Sequence, residues 1–313
     1  MESEAASELR SLARYPKEQT LRALALLADG ASSEAANEAL NVLAARTGTE
    51  PRSPHSVLVA LYGRLDKEGT KRDAGGYLRI AVLKALRPMV RATDTALLEK
   101  AASTYEFGQR GEIAADLRAE ALLTLSHADA ELAAFHAVRL LHDEHTSEMS
   151  GQPALMAARV LAAQELVLPL YAYALEPGGR PAEVISECLH ALKRLPATHV
   201  RLLFERYRQP GSEIATLGLV DLLLSHGARR ELAPLLFRLL TETRMYDVYH
   251  YAVTALVATH DAELLAGLLT VADKELDRRK LDSLASALAL VRGDERVDEC
   301  LGEVKRKLGA SAS

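Results

Sequence analysis

The sequence has no tryptophan, only four phenylalanines, and just two cysteines, Cys188 and Cys300. The cysteines lie far apart and neither belongs to a Cys-x-x-Cys pattern. The sequence therefore indicates neither a structural zinc site nor a disulfide framework. We interpret both cysteines as reduced side chains that fill space.

A surplus of basic residues is also missing. Lysine and arginine number 38 against 43 aspartate and glutamate residues, which gives a formal net charge of −5. Proteins that bind nucleic acid usually carry a clear basic surplus. The composition therefore disfavours a nucleic-acid partner, although it does not exclude a local basic face on the protein.

Long hydrophobic runs are absent as well. The N-terminus is acidic where a secretory signal would be basic, and no window approaches the roughly 18 apolar residues of a membrane span. The apolar stretch Leu217–Leu224 is interrupted by Gly218 and Asp221. We expect a cytoplasmic protein that does not bind a membrane.

Known catalytic motifs are missing too. The chain contains no phosphate-binding loop, no Gly-x-Ser-x-Gly elbow and no His-Glu-x-x-His motif. His136, His142 and His145 lie close together in the sequence, but we interpret them as solvated histidines near a helix C-terminus. We predict no cofactor, no metal and no catalytic residue, and the sequence favours a non-enzymatic protein without deciding the point.

Alanine and leucine, which are strong helix formers, dominate the apolar residues. No stretch shows the strict alternation of a half-buried strand, so we predict an all-α fold. A short apolar motif, clearest at Leu78–Leu86, recurs at intervals that each suit one helix hairpin of roughly 30 to 45 residues. We call its first residue the anchor, and the eight anchors are Ala35, Leu78, Leu117, Ala154, Val184, Ile214, Val248 and Leu281.

The fourth residue after the anchor is small in seven of the eight copies. The anchor and this plus-four residue share one helix face, so a small side chain would let a neighbouring helix approach closely. The plus-four residues are Ala39, Val82, Ala121, Ala158, Cys188, Gly218, Ala252 and Ala285.

A further amphipathic segment precedes most of the anchored helices. Asp94, Asp129 and Asp261 are placed to cap such helices. We expect the longest irregular connections at Gly69–Gly76 and Arg46–Pro54, a frayed tail from Gly309 to Ser313, and one repeat domain over residues 1–313. The predicted first helices are Val57–Leu65, Thr95–Tyr105, Ala130–Leu141, Gln164–Leu175, Thr198–Tyr207, Arg230–Leu240 and Ala262–Ala272.

The anchored helix resembles the second helix of HEAT repeats. Leu78-Arg79 with Ala85-Leu86 carries the resemblance, as does Val248 with Ala252 and Ala255-Leu256. The resemblance implies an all-α superhelix, or solenoid, of about eight stacked helix pairs. In such folds the second helices line the concave face, but the architecture does not specify a function.

Some enzymes have a HEAT-like architecture, and the sequence lacks their features. The di-iron hydroxylase type depends on His-Glu dipeptides, and this chain contains none. The alkyl-base DNA glycosylase type relies on basic surfaces that bear tryptophan, which the charge and the missing tryptophan disfavour. A bilin lyase-like HEAT protein stays open on architecture alone.

The sequence thus favours a scaffold that binds a protein or peptide on its concave second-helix face. The densest aromatic cluster supplies four candidate contact residues, because Tyr and Arg are enriched at interface hot spots. They are Arg244, Tyr246, Tyr249 and His250. The alternative interpretation is that Tyr251 packs internally and Tyr246 covers a turn. Other second-helix residues that we expect off the buried face are Arg79, Lys84 and Arg118, with Arg159, Glu187 and His190.

Other partners stay open. A basic patch between Lys193 and Arg208, interrupted by Glu205, could meet phosphates. A nucleic-acid-binding or glycosylase-type protein is therefore the alternative, and self-association through an end repeat is a third hypothesis.

Overall fold

The computed structural model describes residues 4–28, 33–45, 54–176, 178, 180–208 and 211–310. These residues form an all-helical protein with one very small sheet, which confirms the predicted all-α class. The chain divides into two compact units, Met1–Gln164 (unit 1) and Glu165–Ser313 (unit 2). The predicted single domain over residues 1–313 stays a prediction.

Unit 1 consists of ten α-helices in its described residues and one two-stranded hairpin. The helices are α1 (Glu4–Ser11), α2 (Pro16–Ala28), α3 (Ser33–Ala44), α4 (His55–Glu68), α5 (Thr70–Asp73), α6 (Tyr77–Leu86), α7 (Thr95–Ala102), α8 (Ala115–Ala128), α9 (Ala130–Leu141) and α10 (Ala154–Ala163). The antiparallel strands β1 (Phe107–Gly108) and β2 (Gly111–Glu112) lie between α7 and α8. Helix α6 packs against α3, α4 and α8, while α8 also packs against α7, α9 and α10.

Unit 2 contains a further set of helices over its described residues. They are α11 (Val167–Leu175), α12 (Ala182–Ala191), α13 (Ala197–Tyr207), α14 (Glu213–Ser225), α15 (Arg229–Glu242), α16 (Tyr246–Ala258), α17 (Ala262–Lys274), α18 (Arg278–Leu288) and α19 (Glu295–Ala310). One series of contacts runs from α12 to α14, α16 and α18, and another from α11 to α13, α15, α17 and α19. Alternate helices of this unit therefore pack against each other.

All eight anchors lie in helices, namely α3, α6, α8, α10, α12, α14, α16 and α18. Seven of the plus-four residues are buried, and Ala285 is half-buried. At Gly218 on α14, an added Cβ would lie 2.7 Å from the Cα of Ser186 on α12. The small side chain is needed here because the backbones of two helices meet.

Two of the three predicted helix caps are confirmed. The Asp129 carboxylate accepts a hydrogen bond from the Leu132 N–H at 2.9 Å, and Asp261 caps α17 through the N–H groups of Glu263 and Leu264. The prediction for Asp94 is wrong, since its carboxylate does not cap α7. It instead accepts the Arg91 N–H at 2.9 Å and lies 2.7 Å from the His55 Nε2 atom.

The predicted irregular connections differ from those observed. Gly69–Gly76 is not irregular, because it contains α5 and a 3₁₀ turn at Ala74–Gly76. Helix α19 continues to Ala310, so the tail is still helical at Gly309. Residues 46–53 of the segment Arg46–Pro54 and the tail residues 311–313 lie outside the described residues. None of the helices in the described ranges is long and apolar enough to cross a membrane.

Candidate functional site

Arg79 is one of the largest fully buried side chains, with 1 % of its surface exposed. Its Nε donates a hydrogen bond to an Asp73 carboxylate oxygen at 2.9 Å, and its Nη2 donates to Glu106 at 2.6 Å. Burial acts to lower the pKa of Arg79, but the hydrogen bonds and charges of Asp73 and Glu106 outweigh it and raise that pKa. The expectation that Arg79 lies off the buried face is therefore wrong.

Arg118 is buried in the same manner, with none of its surface exposed. Its Nη1 lies 2.8 Å from the Glu112 carboxylate, and its Nε donates to Asp143 at 3.1 Å. A third hydrogen bond joins Nη1 to the Thr104 carbonyl oxygen at 3.0 Å. A buried guanidinium is tolerated only when its donors are paired in this way. The prediction of Arg118 as an exposed contact residue is also wrong.

We call these two arginines and their four carboxylates the buried ion-pair network. The network joins three segments of unit 1 that are distant in sequence: the α5–α6 connection, the β-hairpin, and the turn after α9. Glu106 also accepts the Gly75 N–H at 2.9 Å, and Glu112 accepts the Ala114 N–H at 2.7 Å. The connections between these helices are thus held by charged groups that are withdrawn from water.

An exposed group of rings lies on the same three segments. Tyr77 is 73 % exposed and Phe107 is 63 % exposed. We define the aromatic surface as Tyr77, Tyr105, Phe107, Ile113 and His145. Such clustered apolar exposure is typical of an interaction site.

The network contacts the Tyr105 ring of the aromatic surface. The Arg118 guanidinium lies 4.1 Å from the Tyr105 ring centroid, and the Tyr105 hydroxyl donates to Asp143 at 3.0 Å. Burial and this hydrogen bond raise the pKa of Tyr105. The His145 ring packs edge-on against Tyr105 and Phe107, at centroid distances of 5.7 and 5.2 Å.

Tyr77 and Ile113 both lie close to Gly75. A Cβ at Gly75 would lie 3.0 Å from the Ile113 carbonyl oxygen and 3.4 Å from the Tyr77 Cε2 atom. Gly75 also has a positive φ of 76°, which side-chain-bearing residues rarely adopt. The sharp turn at Gly75 therefore brings the start of α6 against the β-hairpin.

The predicted cluster at Arg244–Tyr251 is arranged differently from the expectation. Arg244 and His250 are exposed, and the half-buried Tyr246 donates its hydroxyl to Asp277 at 3.0 Å. Tyr249 is fully buried, and its hydroxyl has no hydrogen-bond partner among the described residues. Its prediction as an outward contact residue is wrong, and Tyr251 is the ring that lies at the surface.

The error at Tyr249 has a physical reason. Helix α16 packs against α14, α17 and α18, so it buries a wider arc than a helix that contacts one neighbour. The residue after the anchor is consequently buried, and Arg79, Arg118 and Tyr249 all occupy that position. Lys84, in contrast, is exposed as expected.

Three polar side chains connect consecutive anchored helices of unit 2. The Tyr251 hydroxyl on α16 donates to Asp221 on α14 at 2.5 Å, which with burial raises the pKa of Tyr251 to about 12. The other Asp221 oxygen lies 3.9 Å from the His190 Nδ1 atom on α12. The phenol stays neutral at neutral pH, so the group joins helices and provides no nucleophile.

The basic patch between Lys193 and Arg208 is largely neutralised by carboxylates. Arg194 pairs with Glu165 at 2.5 Å, Arg201 with Glu231 at 3.3 Å, and Arg208 with Glu205 at 2.7 Å. Arg206 donates to the Glu176 carbonyl oxygen at 2.5 Å. Three of the four arginines in the patch are thus paired with carboxylates, while Arg206 contacts an uncharged carbonyl oxygen.

The histidines and cysteines do not assemble into a metal site in the part of the chain that the structure describes. His136 Nε2 lies 3.1 Å from Glu99, and His142 follows the last residue of α9. Cys188 is buried, which raises the pKa of its thiol, and Cys300 is half-buried.

A pocket opens in unit 1 between the end of α8, the start of α9 and the outer side of α10. Its volume is about 530 Å³. The apolar lining residues are Leu123, Ala130, Met156, Val160 and Ala163, and the polar ones are Ser126, His127, Arg159 and Gln164. We call this cavity the α8–α10 pocket.

Comparison with known proteins gives no relative from which a role could be taken. No protein-family model matches the chain, and neither a curated protein nor a solved structure is significantly similar to it.

Proposed function

We propose that the protein is a non-enzymatic scaffold of stacked HEAT-like helix pairs that binds a protein or peptide partner. The aromatic surface of unit 1 is the observation that carries this proposal. We propose the aromatic surface as the contact site in place of the second-helix residues Arg79, Arg118 and Tyr249, because those three are buried. The exposed residues Arg244 and His250 of unit 2, and Lys84 of unit 1, stay candidate contacts.

The aromatic surface has the properties of a binding hot spot. Tyrosine and phenylalanine combine a large apolar area with few rotatable bonds, so little side-chain entropy is lost when a partner covers them. Covering an exposed Tyr77 or Phe107 fully would contribute about 1.5–3 kcal/mol each. The buried ion-pair network holds Tyr105 and the β-hairpin in place before binding, which lowers the cost further.

The charges of unit 2 favour a protein over a phosphate-bearing partner. The arginines of the basic patch already bind carboxylates or a carbonyl, and exchanging those contacts for phosphates would gain little. A scaffold also needs no cofactor, and none is proposed.

Quantitative affinity capture from source-cell lysate tests the proposal. The full-length protein, a Phe107→Ala variant and a matched Phe135→Ala control would be compared by mass spectrometry. Phe135 is a suitable control because it is 69 % exposed on α9 and lies outside the aromatic surface. We expect a set of proteins that the wild type and the control retain and that Phe107→Ala loses.

Two outcomes would overturn the proposal. Identical capture by all three proteins would remove the aromatic surface as the binding site. A salt-sensitive shift of DNA or RNA, with no protein captured, would favour the nucleic-acid alternative.

A further inference from the structure

We propose that the α8–α10 pocket binds a small molecule that has an apolar body and a carboxylate group. The proposal is independent of the scaffold function, because the pocket and the aromatic surface share no residue. Its size fits this class of ligand, since small-molecule sites usually enclose about 300–1,000 Å³ and this pocket encloses about 530 Å³.

The apolar part of the pocket comes from three helices. Leu123 on α8 and Ala130 on α9 face Met156 and Val160 on α10 across the cavity. Val160 is almost fully buried, while Leu123 and Met156 are half-buried. A hydrocarbon or aromatic group placed among them would remove exposed apolar surface from water, which is the main source of small-ligand affinity.

The described residues that line the pocket supply no negative charge. His127 and Arg159 are its titratable lining residues, and none of the described residues that line it is acidic. Both side chains are exposed, so a ligand can reach them from solvent. This asymmetry selects an anionic ligand, because a cationic one would meet no carboxylate.

The neutral polar side chains of the pocket already donate hydrogen bonds within the protein. The Ser126 hydroxyl donates to the Leu123 carbonyl oxygen at 2.8 Å, and the Gln164 side-chain amide donates to the Ala130 carbonyl oxygen at 3.0 Å. Arg159 already has a partner within the protein. Its guanidinium has five N–H donors, however, and can bind a carboxylate in addition.

A carboxylate fits this donor set better than other anions of the same size. An arginine binds the two carboxylate oxygens side by side, and an imidazole N–H can donate to either of them. A phosphate would bring a second negative charge into a pocket whose lining is largely apolar. The geometry therefore points to alkyl or aryl carboxylates.

Calorimetric titration of the full-length protein with three matched probes tests the proposal. The probes are 4-phenylbutyrate, 4-phenyl-1-butanol and 4-phenylbutylamine, which share an apolar body and differ in the terminal group. We expect the carboxylate to bind at least tenfold more tightly than the alcohol, a difference of about 1.4 kcal/mol, and the amine to bind most weakly.

Four variants locate the binding site. Ala163→Phe fills the pocket from its exposed rim and should abolish binding of the carboxylate. Ala258→Phe places the same side chain at an exposed position on α16 and should leave binding unchanged. His127→Gln and Arg159→Gln should each lower the affinity for the carboxylate probe at least threefold and leave the affinity for the alcohol probe unchanged.

Three outcomes would overturn the inference. Equal affinity for the three probes would mean that the pocket does not recognise charge. Carboxylate binding that persists in a folded Ala163→Phe variant would place the site elsewhere. Absence of carboxylate binding to the wild type at millimolar concentration would mean that the cavity is not a ligand site.

Discussion

The Gly218→Ala substitution tests the close packing of α12 and α14. An alanine Cβ at this position would lie 2.7 Å from both the Cα and the Oγ of Ser186, and 3.0 Å from its carbonyl oxygen. Carbon atoms in contact normally lie about 3.5–4.0 Å apart, so the two helices must separate by about 1 Å. Two of the obstructing atoms belong to the backbone, and a side-chain rotation cannot relieve them.

The expected magnitude is a balance of two terms. Overpacking of this kind costs about 1–3 kcal/mol. Alanine in place of glycine inside a helix stabilises the folded state by about 0.5–1 kcal/mol, which offsets part of this cost. We expect Gly218→Ala to lower the free energy of unfolding by about 1–2 kcal/mol.

Gly63→Ala is the matched control within α4. Apart from the backbone of α4 itself, no atom of the described residues lies within 4 Å of a Cβ added at Gly63, so only the helix-propensity term applies there. The same substitution should raise the free energy of unfolding by about 0.5–1 kcal/mol. Equilibrium urea unfolding followed by circular dichroism measures both. A Gly218→Ala protein as stable as the wild type, beside a stabilised Gly63→Ala, would refute the packing argument.

Four further predictions concern buried side chains and the ionisation of tyrosines. Arg118→Met leaves the Glu112 and Asp143 carboxylates buried without their partner, so urea unfolding should show a loss of about 3–5 kcal/mol; a loss under 1 kcal/mol would contradict the network. Ala121→Leu should cost about 1–3 kcal/mol through overpacking, and an unchanged melting temperature would mean that the plus-four position is not tightly packed. Tyr249→Phe removes an unpartnered buried hydroxyl and should raise stability by about 1 kcal/mol in the same assay, whereas a destabilised variant would reveal a partner. Seven of the ten tyrosines have a raised pKa in the folded protein. Their neutral phenols therefore stabilise the fold fully below about pH 10, and this contribution is lost as the pH rises through the folded-state pKa values. Absorbance at 295 nm near pH 11 should show less tyrosinate in the folded than in the urea-unfolded protein, and equal absorbance would contradict this.

The helices were predictable because their signals are local. Ala130–Leu141 is observed with its predicted bounds, since Asp129 caps its start and its apolar residues recur with helical spacing. The small plus-four residues also came from a local pattern, and Gly218 shows why one of them is needed. The number of stacked repeats is a long-range property and stays a prediction.

The buried ion-pair network was not predictable from a single sequence. Arg79 reaches Glu106 from 27 positions away and Arg118 reaches Asp143 from 25 positions away. A charged residue beside an anchor is, by default, assigned to a solvated face. The sequence did contain one signal for these buried arginines, since an arginine directly follows two of the anchors. A residue next to a buried anchor is itself buried when its helix packs against several neighbours.

The aromatic surface was missed for a related reason. Tyr77 begins α6, Phe107 lies in β1 and His145 lies in the turn after α9, so no sequence window contains them together. The cluster at Arg244–Tyr251 was predicted as a contact site because its rings are close together in the sequence. Adjacent rings on a helix point in different directions, and Tyr249 and Tyr251 accordingly have opposite environments.

The buried ion-pair network also determines how the turns of unit 1 exchange hydrogen with solvent. Its carboxylates accept hydrogen bonds from the backbone N–H groups of Gly75, Glu106, Ala114 and His145, none of which is in a helix interior. These amide protons exchange only when those hydrogen bonds break. The turns of this unit should therefore retain protium for as long as the helices that they connect, instead of exchanging at once as exposed loops do.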